Sequence, residues 1–236
     1  MRSAALVIAV LAGLCVAASA SATAAITSWS EKRDGPSRAL DVRVYLLGSL
    51  TLPTGDFGSM VSNRAGFATR GAGLGLDVTG RFRHGIEGGG LLWVDYNPTD
   101  SGELSASFNA ALRRFGIQTD NIRLSATGWT SGWALGKFGV AARGADGTRP
   151  FVDLYGGAMF DRSPAVVFRS SSGSFAASPG RSWIGLAAGA GAGVRWRARL
   201  TLGLLWLTGV AQPFDAKTGY QPVSTLHATL GWTLSH

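Results

Sequence analysis

Cysteine is almost missing from this chain. The only one, Cys15, falls inside an apolar N-terminal run, so nothing after that run can form a disulfide or a thiolate metal site. Histidine is nearly as scarce: His84, His227 and His236 are the full set, and no histidine–carboxylate grouping has metal-ligand spacing. Charge is sparse as well, at 15% of residues. Beyond the N-terminus there is no continuous apolar stretch long enough for a membrane-spanning helix, although mean hydropathy is slightly positive at +0.17. What the chain has in quantity is glycine, 34 residues, and tryptophan, 8 residues. An apolar, glycine-rich chain without a helical span needs another way to satisfy its backbone. In lipid, the only other solution is a closed barrel.

The N-terminus reads as a secretory leader. Arg2 gives a positive start, Ala4 to Ala18 an apolar run, and Ser19 to Ala25 a stretch of small residues with several small-x-small cleavage options, of which Ala22-Thr23-Ala24 is preferred. The run is short for a membrane anchor. Leu14 stands before Cys15 where lipidation needs a small residue. The expected organisation is a signal peptide over 1–24, an N-terminal periplasmic segment over 25–39, and a barrel over 40–236.

Alternation carries the barrel reading. From Ser182 to Arg197, Ile184, Leu186, Ala188, Ala190, Ala192, Val194 and Trp196 share one face, and glycines and arginines fill most of the other. This is period two rather than 3.6, and alternate glycines would weaken a helix badly. Leu200 to Trp206, Leu226 to Leu234 and Leu74 to Phe82 repeat the theme. Eight segments follow: Leu40–Leu52, Gly71–Arg83, Ile86–Tyr96, Ile122–Arg143, Phe151–Phe160, Trp183–Arg197, Leu200–Val210 and Val223–Leu234. Each is near or above the roughly 9–11 residues of a tilted spanning strand. The fourth is too long and its alternation slips around Trp129–Leu135, which points to a bulge or an extension beyond the membrane. Long connectors (Pro53–Arg70, Asn97–Asn121, Asp161–Ser182, Ala211–Pro222) alternate with short ones (His84–Gly85, Gly144–Arg149, Ala198–Arg199). That is the outer-membrane pattern, with short turns and both termini on the periplasmic side.

On these features the chain resembles the small eight-stranded outer-membrane barrels, including the OmpA and OmpX type of transmembrane domain, over nearly all of the mature chain. Leu52-Pro53-Thr54-Gly55-Asp56-Phe57 looks like the segment that often ends the first strand in that superfamily. Thr229-x-Gly231-x-x-Leu234-x-His236 resembles the C-terminal signal read by the barrel-insertion machinery, with Leu234 at an aromatic position and His236 where a terminal Phe is usual. The resemblance implies an all-β, eight-stranded antiparallel up-and-down transmembrane barrel in the bacterial outer membrane, in contact with outer-membrane lipid and lipopolysaccharide and monomeric. No peptidoglycan-binding domain is expected after the last strand.

Alternation alone does not say which face points inward; a soluble, lipocalin-like barrel would bury the bulky residues. The charges decide. Arg43, Asp77, Arg81, Glu87, Asp95, Lys137, Asp153 and Arg195 would otherwise face lipid, at several kcal/mol each. An inward polar network of both signs is expected, with Trp93 and Tyr155 as bulky partners for the small inward glycines. Trp196, Trp206, Trp232, Phe82, Tyr96 and Phe160 are candidates for the aromatic belts outside. Eight strands leave a lumen just wide enough for side chains to fill, which argues against a wide pore and leaves a narrow solute path open.

The formal net charge of +8 does not suggest nucleic acid in an exported barrel. Arg64, Arg70, Arg113, Arg114, Arg162, Arg169 and Arg181 fall in the outer connectors, where they could contact lipopolysaccharide phosphates or simply be solvated. One connector holds a helix pattern, with Leu104, Phe108, Ala111, Leu112 and Phe115 at helical spacing, Asp100 and Glu103 as a capping pair, and Gly116 as a stop. Its apolar stripe is expected on the membrane interface or the barrel rim. No hydrolase motif surrounds any histidine, and Gly71-x-Gly73-x-Gly75 and Gly189-x-Gly191-x-Gly193 lie inside alternating strands rather than opening helices. No catalytic, cofactor or metal residues are assigned. The function classes left are a structural or surface-binding barrel, a narrow porin-like channel, and a membrane lipid enzyme.

Overall fold

The computed structural model describes residues 41–60, 66–117, 122–144, 147–170, 173–197, 199–211 and 221–234. The expected signal peptide, the 25–39 segment and Arg64 lie outside the described residues.

Eight strands close into one antiparallel barrel: β1 (Asp41–Pro53), β2 (Gly71–Arg81), β3 (Ile86–Asn97), β5 (Trp129–Ala141), β6 (Thr148–Arg162), β9 (Ser182–Trp196), β10 (Leu200–Ala211) and β11 (Gln221–Thr233). Each neighbours the next in the chain, and β1 pairs with β11 from Tyr45↔Thr233 to Pro53↔Thr225. Closure removes every open edge, so no ladder group of the wall is left to lipid. The barrel strands run from 11 to 15 residues, enough to cross a bilayer at a tilt.

The wall follows the alternation. Leu74, Phe138, Leu154 and Leu186 point outward and are exposed, whereas Asp77, Lys137, Asp153 and Arg195 on the same strands point inward and are buried. A water-soluble barrel would reverse this. The apolar exterior and charged interior are those of a barrel that crosses a membrane. Phe82, Trp196 and Trp232 gather on the outside near the short-turn end, and Tyr96 stands near the other end. Trp206 lies between them; its indole Nε1 donates to Ser224 Oγ at 2.9 Å, which satisfies the group on an apolar face. Phe160 is half-buried.

Two of the expected segments need correcting. Ile122–Arg143 is not one strand. β5 starts at Trp129, and the residues before it form β4 (Arg123–Ala126), which leaves the barrel. The break falls at Thr127–Gly128, where any side chain on Gly128 would meet the Tyr96 ring. The slip in alternation marked this departure. The connector Asp161–Ser182 is also not plain loop, because it holds the hairpin of β7 (Val166–Ser170) and β8 (Gly173–Ser178). β4, β7 and β8 form a separate three-stranded sheet in the order β4-β7-β8.

That sheet stands at the long-loop end together with two helices. The short α1 (Gly55–Gly58) follows β1 and buries Phe57. The longer α2 (Ser101–Arg114) follows β3 and has the expected cap: Asp100 accepts from the backbone amides of Gly102 at 2.9 Å and Glu103 at 3.0 Å. Part of the apolar stripe of α2 packs on the extra sheet, with Phe108 edge-on to Phe168 of β7 at 5.0 Å, while Ala111 and Phe115 stay exposed.

Candidate functional site

Two regions qualify: the barrel lumen and the long-loop surface.

The lumen is filled in layers. Nearest the short-turn end is a charged layer. Arg195 reaches Glu87 across the barrel by a charge-assisted hydrogen bond and Asp153 at 3.4 Å, and Arg81 stands 3.8 Å from Glu87. Lys137 donates to Asp77 at 2.5 Å and to Thr79, and lies 3.8 Å from Asp153. Its side chain is 0% exposed, so these carboxylates take the place of water for the ammonium. Arg43 sits outside this layer at the rim, where it pairs with Asp41 at 2.6 Å.

Asp95 belongs to a different group above. It accepts from Trp93 Nε1 at 2.5 Å and Trp133 Nε1 at 2.9 Å, and its Oδ1 lies 3.5 Å from His227 Nδ1. Of the eight charges expected to share one lumen network, six therefore interlock, while Arg43 and Asp95 each have other company. The bulky inward partners are where the glycines make room: the Trp93 ring occupies the space a side chain on Gly73 or Gly75 would need, and Tyr155 packs over Gly191.

At the long-loop end the lumen is closed by aromatic rings. Phe57 of α1 meets Trp129 edge-on at 5.3 Å, and Trp129 meets Trp183 at 5.8 Å. Trp129 Nε1 donates to the Gly66 carbonyl at 2.8 Å, tying the loop after α1 to the plug.

His227 is 0% exposed, with Thr225 Oγ1 2.8 Å from Nε2 and Ser49 Oγ 3.4 Å from Nδ1. Ser49 and Asp95 both face Nδ1, whereas a serine hydrolase needs its nucleophile and its acid on opposite nitrogens.

The long-loop surface is built by hydrogen bonds from α2 to the outer edge of β4. Ser101 Oγ accepts from Ala126 N at 3.0 Å and Ser105 Oγ from Leu124 N at 2.8 Å. Asn109 exchanges hydrogen bonds with both backbone groups of Ile122. Residues four apart share one helix face, so this polar stripe runs alongside the strand and covers an edge that would otherwise be free.

The seven arginines assigned to outer connectors divide as follows. Arg64 is outside the described residues. Arg70, Arg113, Arg114, Arg162, Arg169 and Arg181 are all exposed at the long-loop end. Arg113 and Arg114 close the last turn of α2. The fold adds one that sequence reasoning left out: Arg123 on β4 stands directly opposite Arg169 on β7, and both are exposed. Only the pairing of two separate connectors brings them together, so no spacing in the sequence announces it.

No protein-family model and no curated protein matches the chain. Among solved structures it is similar to Neisserial surface protein A at 7% identity and a TM-score of 0.45, over 83% of this chain and 97% of that one. It is also similar to Ail, the attachment invasion locus protein of Yersinia pestis, at 13% identity and a TM-score of 0.42, over 82% of this chain and 97% of that one.

Proposed function

We propose that this chain is a bacterial outer-membrane barrel with a structural or surface-binding role, in which the barrel is the anchor and the long-loop end is the working surface. The observation that carries this is the contrast between the two regions. The lumen is packed from the charged layer to the Phe57–Trp129–Trp183 plug, while the connectors after β3 and β6 fold into a helix and a three-stranded sheet. The long connectors and short turns favour the outer membrane over other membranes, with the long-loop end facing out.

The partner favoured by the surface chemistry is lipopolysaccharide. Six exposed arginines from the outer connectors, with Arg123 beside Arg169, offer planar donors matched to its phosphates. The enclosed His227 argues against a lipid enzyme, because no acyl chain reaches a side chain with 0% exposure in a filled lumen.

The test pairs two measurements on refolded protein. In planar bilayers we expect no steady unitary conductance; regular openings would replace the anchor reading with a channel. In lipopolysaccharide co-purification, the double variant R123Q/R169Q should retain several-fold less lipid than the parent. Equal retention would remove lipopolysaccharide as the partner.

A further inference from the structure

We propose that the short-turn mouth of the barrel is a binding site for one oxyanion of the phosphate class, held by Arg149 and Arg195. The mouth is a shallow recess open to solvent, bordered by Arg43, Arg81, Arg149 and Arg195 together with Asp41 and Glu87.

Among the described residues the charges there do not balance. Asp41 serves Arg43 at 2.6 Å. Glu87 serves Arg81 and Arg195, Asp153 serves Arg195 and Lys137, and Asp77 serves Lys137. Five cations thus face four carboxylates, and the cation left over is Arg149, which forms no ion pair among the described residues. Arg149 is also the direct cross-strand partner of Arg195 in the β6–β9 pair. Like charges placed opposite each other on one face of a sheet are destabilising, and an anion between them reverses the sign of that interaction.

A second observation points to the same place. Arg195 is 3% exposed, yet its Nε has no hydrogen-bond partner. Its guanidinium is held 4.0 Å from the Phe151 ring centroid and 5.5 Å from that of Tyr45, so this donor is fixed before any ligand arrives. The Arg149 fork and Arg195, with its unpartnered buried Nε, border one recess and are the donor types from which a tetrahedral oxyanion accepts. Arg143, Arg197 and Arg199 are exposed around the same end and add a field that draws anions in. The phosphate can be a free anion or the headgroup of a lipid bordering the mouth. The site lies at the opposite end from the long-loop surface, so either assignment can fail without the other.

The test is calorimetric titration of inorganic phosphate into the full-length mature barrel, refolded in nonionic detergent at low ionic strength. Saturable one-site binding is expected. R149Q should weaken it roughly tenfold or more, the usual worth of a charge-assisted hydrogen bond, while R143Q, on the exposed rim, should leave it within about twofold. Absence of saturable binding, or equal affinity in R149Q, would overturn the proposal. If R149Q fails to refold, R149K replaces it: this variant keeps the charge and loses the fork, and unchanged affinity would again overturn the site. Short-chain phosphatidylglycerol in the cell separates the sources. Displacement of phosphate assigns a lipid headgroup, and undisturbed phosphate binding assigns the free anion.

Discussion

Asn109 and Ile122 form the kind of two-bond pairing usually made between neighbouring strands. The Asn109 Nδ2 donates to the Ile122 carbonyl at 2.7 Å, and the Ile122 amide donates to Asn109 Oδ1 at 3.2 Å. A side-chain amide thereby stands in for a missing strand and blocks the edge of β4 from pairing with another chain. Replacing Asn109 with Ala should cost about 1–3 kcal/mol locally, since two backbone groups lose their partners. The expected result is faster amide exchange and proteolysis around residues 122–126 with the barrel's own unfolding midpoint unchanged. A matching loss in the barrel transition would show that the cap and wall unfold as one unit.

Lys137 is the single cation between Asp77 and Asp153. Changing it to Met leaves buried Asp77 without a cation and Asp153 with Arg195 alone, and about 3–5 kcal/mol of stability should be lost. Asp77→Asn should cost less, because Lys137 keeps Asp153. Urea unfolding of the two variants in the same detergent ranks them directly, and the reverse order would contradict the shared-cation arrangement.

Leu154 is mid-strand on the outer wall and 60% exposed. On a soluble protein, an exposed Leu→Arg change is nearly neutral. On a lipid-facing wall at mid-depth, Leu154→Arg should cost roughly 2–4 kcal/mol. Folding equilibria in phospholipid vesicles measure this, and neutrality there would mean that the face does not meet hydrocarbon.

Gly75 lies against the Trp93 ring. Adding a methyl group in Gly75→Ala forces the indole to shift and should destabilise by about 1–3 kcal/mol. The same shift disturbs the Trp93–Asp95 hydrogen bond, so the tryptophan emission of the folded barrel should move with it. An unchanged spectrum and midpoint would indicate slack in this layer.

Much of the wall was readable along the chain. Period-two alternation from Ser182 to Arg197 and from Leu226 to Leu234 sets a strand's two faces locally, because successive side chains must point to opposite sides. Buried charges such as Asp77 and Arg195 then settled which face turns in. The helix after Asp100 was legible for a similar reason, since capping and 3.6-residue spacing act within a few residues. Ile122–Arg143 was not legible as two strands, because Arg123–Ala126 alternates as a barrel strand would and differs only in its partner.

The sequence by itself determined that this chain closes into a lipid-facing barrel with a charged interior, since solvation and backbone geometry act on each residue where it stands. Only the tertiary structure decided which charges meet. It placed Lys137 between two carboxylates, moved Asp95 to the tryptophans, set Arg123 beside Arg169, and left Arg149 facing Arg195 without a counter-charge among the described residues. Those relations depend on strand register and on which connectors pair, and both arise from contacts between residues far apart in the chain.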